Sequence, residues 1–288
     1  MRKPLRTSFG RFTFSLDTED PVVRDYLLRH FEKNLAHASP DVTIRLKTDT
    51  QLRPEHFKPG THYEYHIQDE SFDFGPGLIQ GIWDATARTC CVTAAAFLFT
   101  REHAWLFDRY LCRLFYTLCA VDNNSNHTDI IIHGAGISRK ETGFLFFGPP
   151  GSGKSTVAGL SGKNSVLHDD MNIVSMVNGE IFLEGVPFNP KCIERQSGRV
   201  PLARIFSLYQ APAAGIDPLT PAAAVKKLLP ETFLPLTVTG RKTVGAFEIL
   251  LTALQKLCTA VPCYTLKFTK DASFWKIIDT LEETHGRN

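Results

Sequence analysis

Apolar residues recur every three or four positions in "PVVRDYLLRHFEKNLA", where Val23, Tyr26, Leu27 and Phe31 share one face, and this spacing predicts a helix. Alternating and aromatic-rich stretches follow, "HYEYHI" and "GIWDATARTCCVTAAAF", and predict strands. In "REHAWLFDRYLCRLFYTLCA" helical spacing returns, with Leu106, Phe107, Tyr110, Leu111, Leu114, Phe115 and Leu118 in register. Residues 1–125 therefore predict a mixed α+β domain that binds a substrate or partner, and the polar run "VDNNSNHTD" marks its boundary.

Residues 126–288 follow an α/β pattern. "DIIIHGAGI" predicts a buried strand, "SRKETG" a turn and "FLFFG" a second strand. After a short helix, "SVLHDD" predicts a third strand beside the second, with its carboxylates at the carboxyl end. "NIVSMVNGEIFLEG" predicts a hairpin, since Asn178-Gly179 suits a two-residue turn. Helices follow at "TPAAAVKKLL" and "AFEILLTALQKLC", then a strand at "CYTLKF". A last helix starts from Asp271 as cap, with Phe274, Ile277, Ile278 and Leu281 on one face.

Between the second strand and the short helix stands "GPPGSGKS", Gly148 to Ser155, which matches G-x-x-x-x-G-K-[ST] in the strand-to-helix context that the motif requires. The residues Gly148, Pro149, Pro150, Gly151, Ser152, Gly153, Lys154, Ser155 and Thr156 form the candidate nucleotide site. Glycines let backbone N–H groups turn toward phosphate oxygens, Lys154 brings a point charge, and the Ser155 hydroxyl suits Mg²⁺. Fifteen positions after Lys154 comes Asp169, followed by Asp170. Ligands collect at the carboxyl ends of strands in open α/β sheets, so this pair is expected at the γ-phosphate and metal. One carboxylate would hold the metal and the other accept a hydroxyl proton. His168 is expected on the opposite side of the strand, as a structural residue. Lys191, Arg195, Arg199 and Arg204 are cationic candidates for phosphate or acceptor contacts.

Composition narrows the setting. The chain of 288 residues is 43% hydrophobic and 22% charged, which suits a packed core. A net charge of +2 without a basic tract points away from nucleic acid. No apolar run reaches the ~20 residues of a spanning helix, which points away from a membrane, and the basic start lacks a signal peptide's apolar run. Seven cysteines without a C-x-x-C pair suit a reducing compartment, so a cytoplasmic location is expected.

The runs "IIHGAGI", "GFLFFGPPGSGKST" and "VLHDDMNIV", spanning about Ile130 to Gly185, resemble the HPr kinase/phosphorylase family, specifically its HPr-kinase-related branch. The likeness continues more weakly through "EGVPFNP" and "VPLARIFSLYQAP" to "VPCYTLKF". The resemblance implies a P-loop kinase core of the HPr kinase C-terminal-domain type, a fold shared with phosphoenolpyruvate carboxykinase, behind the mixed α+β N-terminal domain. It implies that His133 is an active-site histidine that positions or stabilises the transferred phosphate. Lys154 and Ser155 would bind phosphate and metal, Asp169 would be the base and Asp170 the metal partner, although a one-residue slip of the strand exchanges the last two roles. It also allows a homo-oligomer, since HPr kinases are hexamers. Two departures stand out. Thr156 replaces a glutamate that commonly joins the metal site, and the Glu-Arg-Gly signature implicated in phosphorolysis has no counterpart in "FLEGVPFNPKCIER".

The expected function is thus an ATP- and Mg²⁺-dependent kinase acting on a hydroxyl, such as the serine of a protein, peptide or free amino acid. Relatives that modify the serine of a small ribosomal peptide make peptide tailoring a special case. The alternative is a regulatory P-loop NTPase switch with a partner-binding N-terminal domain. A carboxykinase is compatible with the fold, but no matching carboxylate-binding signature is present.

Overall fold

The computed structural model describes residues 3–31, 35–52, 65–68, 71–74, 77–100, 102–121, 127–162, 165–187, 198–233 and 243–285. The expected positions Lys191 and Arg195, most of the "VDNNSNHTD" run and the first half of "HYEYHI" lie outside them. The chain divides into two compact units, one of residues 1–123 with 187–189 and 235–246, the other of residues 124–186, 190–234 and 247–288. The fold is mixed α/β: each unit is built on a mixed sheet, and the described residues form six α-helices. Among the described residues no helix is long and apolar enough to cross a membrane, and Cys90, Cys91, Cys112, Cys258 and Cys263 are free thiols.

In the first unit, β1 (Leu5–Phe9) and β2 (Phe12–Asp17) form a hairpin, and α1 (Pro21–Phe31) returns the chain to β3 (Val42–Asp49), parallel to β2. Asp20 starts the helix by accepting the N–H groups of Val22 and Val23, which the first turn leaves without partners. Strands β4 (Tyr65–Gln68), β5 (Ser71–Phe74), β6 (Ile79–Asp84) and β7 (Thr89–Ala95) run as an antiparallel meander whose last strand lies parallel to β3. The four α1 residues expected on one face, Val23, Tyr26, Leu27 and Phe31, are all buried. They meet α2 (Ala104–Val121) through an aromatic core in which the Phe14 and Phe115 rings stack at 3.9 Å. Within it the Tyr26 hydroxyl donates to the buried Asp108 carboxylate, and loss of water pushes the acid upward from its ordinary range.

The second unit is organised around one strand, β8 (His127–Arg139). Its first half pairs with β11 (Met171–Val177) and its second half with β9 (Thr142–Phe147). Between β9 and β11 come α3 (Lys154–Leu160) and β10 (Val166–His168), and after β11 the chain turns back as β12 (Glu180–Gly185). β13 (Arg199–Gln210) pairs with β12 at its start, lies parallel to β9 in its middle, and ends parallel to β15 (Cys263–Phe268). The pairings β8–β11–β12–β13–β9–β8 thus close into a ring. β14 (Gly215–Pro218), α4 (Pro221–Leu228), α5 (Thr243–Ala260) from Phe247 onward and α6 (Phe274–His285) complete the unit.

"FLFF" in β9 has no polar alternation because both its faces are covered. Leu145 and Phe147 pack with Ile130, Ile132 and Val174 under α4 and α5, while Phe144 and Phe146 pack with Ile137 and Phe206 under α3 and α6. Asn178 and Gly179 form the expected hairpin turn, at φ of 52° and 88°. The β8–β9 turn was expected over "SRKETG", yet it is only Lys140 and Glu141, at φ of 51° and 61°, with β8 extending to Arg139. These residues carry no glycine signal, because the register of the flanking strands imposes the left-handed turn.

One expected neighbour is different. β10 does not lie beside β9: it pairs antiparallel with β8 at Gly136 and Ile137. A strand has two edges, and those of β9 are already taken by β8 and β13. The chain leaving α3, which packs on β8, can therefore only add on the far side of β8.

Glu184 of β12 is buried beside the Asp129 carboxylate, and loss of water with that like charge pushes its acid up to about 8, against the milder pull of the Arg199 guanidinium. From its ordinary 4.5 to about 8 the folded chain holds a proton that the unfolded chain releases, so this residue's contribution to stability declines as pH rises through that window. Glu184→Gln should match the parent at pH 5 and exceed it at pH 9 by on the order of 2–4 kcal/mol, read from urea midpoints at the two pH values. An equal difference at both pH values would show that Glu184 does not titrate in this way.

Candidate active site

Gly134 is the point where the candidate segments meet. On one side of β8 it faces Phe147, the residue immediately before the glycine-rich loop. On the other side its N–H donates to the Asp170 carbonyl at 2.9 Å, and its carbonyl accepts from the Asn172 side chain at 2.8 Å. The loop and the Asp169–Asp170 turn therefore flank the same residue, although β8 separates the strands that carry them. This replaces the expected side-by-side strands and still brings both segments to the middle of β8, where it changes partners.

The loop opens at Gly148 and ends at Gly153, the N-cap of α3, whose φ of 110° belongs to the left-handed region. A Cβ at Gly153 would also run into the Phe268 ring, so backbone conformation and space both demand glycine there. The Lys154 ammonium is buried and donates to the carbonyls of Gly148 at 2.6 Å and Pro149 at 3.3 Å, which draws the two ends of the loop together. Ser152 N–H closes a turn on the Pro149 carbonyl, and the Gln210 amide at the end of β13 donates to the Gly151 carbonyl. The Ser152 hydroxyl is buried and finds no partner among the described residues. Such an orphaned group costs about 1–3 kcal/mol unless something meets it. Ser155 is exposed and Thr156 half-buried on the first turn of α3.

His133 ends the half of β8 that pairs with β11, and it joins two carboxylates. Its Nε2 lies 3.1 Å from Asp170 Oδ1 and its Nδ1 lies 3.0 Å from Glu231 Oε2. A ring carrying protons on both nitrogens satisfies both. Asp169 is buried, whereas the Asp170 side chain is about a third exposed at 34%. His168 is fully buried, and its Nδ1 accepts the backbone N–H groups of Asp170 and Met171 at 3.0 and 3.1 Å. Since Nδ1 is the acceptor, the ring proton sits on Nε2, and the 3.7 Å approach of Asp169 to Nδ1 is not an ion pair. The expected structural role of His168 thus has a concrete form: it shapes the turn that presents both aspartates.

Two residues of this site were not anticipated from sequence. Asn172 is buried, and its amide ties the Gly134 carbonyl to that of His168. Glu231 arrives from far along the chain on a 3₁₀ turn, Leu229–Glu231, and no local pattern marks it. Asn172 had a signal of a kind in the glycines of "HGAG", where a Cβ at Gly136 would overlap its carboxamide. Of the cationic candidates, the described Arg199 and Arg204 do not join this site. Arg199 lies over the Phe182 ring at 4.2 Å, and Arg204 reaches the Leu281 carbonyl of α6.

The oxygen donors that the sequence suggests for a magnesium ion are the exposed Ser155 hydroxyl and the partly exposed Asp170 carboxylate. Among the described residues no group of three or more His, Cys, Asp and Glu side chains gathers into a metal site. Two hard oxygen donors suit Mg²⁺, which keeps several waters and takes its remaining oxygens from phosphate.

The approach at Gly136 gives a direct test. Gly136→Ala should cost about 2–4 kcal/mol, because Asn172 must give up its place. In an Asn172→Ala background the same change should cost far less, leaving a coupling of about 1–3 kcal/mol in denaturant unfolding. Additive losses would mean that the close contact does not constrain the fold.

No protein-family model and no curated protein matches the chain, so the roles of these residues rest on their geometry and chemistry.

Proposed function

We propose that this protein is an ATP- and Mg²⁺-dependent kinase with a P-loop core of the HPr kinase C-terminal-domain type, which transfers the γ-phosphate to a hydroxyl. Serine in a protein, peptide or free amino acid is the acceptor the chemistry favours, and a cytoplasmic setting suits it. The observation that carries the reading is the meeting at Gly134 of a glycine-rich loop, its lysine and a paired-aspartate turn. Phosphoryl transfer asks for little beyond positioning and charge neutralisation, and these residues supply both.

In this reading Lys154 exchanges its loop carbonyls for phosphate oxygens, and the orphaned Ser152 hydroxyl gains a partner. The positive end of α3 adds to the anion site. Ser155 and Asp170 would hold Mg²⁺, which when bound would neutralise phosphate charge. Asp169 accepts the hydroxyl proton as the acceptor oxygen attacks. Its burial and the tie between Asp170 and His133 favour this assignment over the reverse. His133 stands beside the transferred group and orders Asp170.

The test is transfer from γ-labelled ATP with Mg²⁺ to free serine, serine-containing peptides and proteins of a cell lysate. Label should appear in one acceptor class, and Asp169→Asn and Lys154→Ala should each reduce it by about 10²-fold or more. Label released only as inorganic phosphate, at a rate indifferent to every acceptor, would make the protein a nucleotide-hydrolysing switch instead.

A further inference from the structure

We infer that Glu231 is a positioning residue of this site: it holds the His133 ring so that Nε2 meets Asp170, and thereby sets where His133 and Asp170 stand during transfer. The catalytic consequence rests on the kinase reading above, whereas the Glu231–His133 link does not.

Without a second partner, a histidine side chain projecting from a strand keeps freedom about both side-chain torsions. Here Glu231 Oε2 sits 3.0 Å from Nδ1, while Nε2 lies 3.1 Å from Asp170 Oδ1. The two contacts on opposite sides of the ring fix its plane and its direction. A carboxylate behind a histidine commonly does this for a reacting or metal-bound group in front of it.

Glu231 is carried on a stiff support. Thr220 caps α4 through its hydroxyl, and Ala224, Val225 and Leu228 bury the helix in the core. Pro230 lies in the following 3₁₀ turn, whose carbonyl at Leu229 accepts both the N–H and the hydroxyl of Thr232. That turn is stitched to β8 itself. Thr232 bridges to Ile132, and the Phe233 N–H donates to the Ile131 carbonyl at 3.0 Å. The strand that carries His133 therefore also anchors the segment that carries Glu231. The Glu231 side chain is only 11% exposed, and leaving a carboxylate with so little water is unfavourable without a partner such as His133. The arrangement makes sense as a support for the histidine, since an exposed turn of this kind could otherwise keep its acid in water.

The experiment compares Glu231→Ala, Glu231→Gln, His133→Ala and the Glu231→Ala/His133→Ala pair. Glu231→Ala should lower kcat for phosphate transfer about 10–100-fold with KM for ATP nearly unchanged. Glu231→Gln, whose amide oxygen still accepts from Nδ1–H, should recover most of the rate. The double variant should be no slower than His133→Ala alone, because Glu231 acts through the ring. A full additional loss in the double variant, or a Glu231→Gln as slow as Glu231→Ala, would overturn the positioning role. Long-range ¹H–¹⁵N spectra of the ligand-free protein test the link without any acceptor. The His133 Nδ1 proton should be protected in the parent and in Glu231→Gln and exchange rapidly in Glu231→Ala. Protection unchanged in Glu231→Ala would remove the link. Absence of any transfer by the parent would sink the kinase reading and the catalytic half of the inference, and the spectra alone would then decide whether Glu231 holds the ring.

Discussion

The second unit depends on a close passage along β8 at Gly134 and Gly136. There the strand shows bare backbone, and the Asn172 side chain lies against it with its amide bonded to the Gly134 carbonyl. A side chain at Gly136 would displace Asn172, and a side chain at Gly134 would press on the Phe146 carbonyl of β9. Because the approach is this tight on both sides, β9 and the turn from β10 into β11 come to the same stretch of one strand. The glycine-rich loop leaves from one side, and the paired aspartates turn on the other. The site is in this sense a consequence of β8 changing partners midway.

Around that point the polar side chains are matched according to their exposure. Lys154, buried, lies on loop carbonyls, and His133 is held between two carboxylates. His168 contributes no charge, since the backbone N–H groups of Asp170 and Met171 occupy its Nδ1. Away from the site, Glu184 and Asp129 crowd two carboxylates into little water, and the result is one acid displaced far upward instead of two ionised groups. Desolvation thus decides which carboxylates of this unit are free to act and which must share or keep a proton.

Much of this was legible in advance where the cause is local. The α1 face, the Asn178–Gly179 hairpin, the Thr220 start of α4 and the β15 strand all follow from spacing, turn chemistry or capping within a few residues. The glycine-rich loop was legible for the same reason, since its conformation is written in its own glycines. The place of β10 was not, because edge occupancy depends on β13, which lies more than thirty residues downstream of β10. Nor was the short Lys140–Glu141 turn, whose left-handed backbone is imposed by the register of β8 and β9.

His133 and Glu231 show the division most clearly. The sequence alone determined the helices of both units and several of their strands, the glycine-rich loop and the closeness of two aspartates to it, because periodicity, glycine and charge act over a few neighbouring residues. It also singled out His133 as a candidate next to that loop. What the histidine touches was decided only in three dimensions, where the turn after α4 docks on β8 and brings a carboxylate 98 residues away to its Nδ1. Backbone pairing at Ile131 and Ile132 sets that contact. Such pairing has no local signature, since any extended segment offers the same N–H and carbonyl groups and only packing selects which segment arrives.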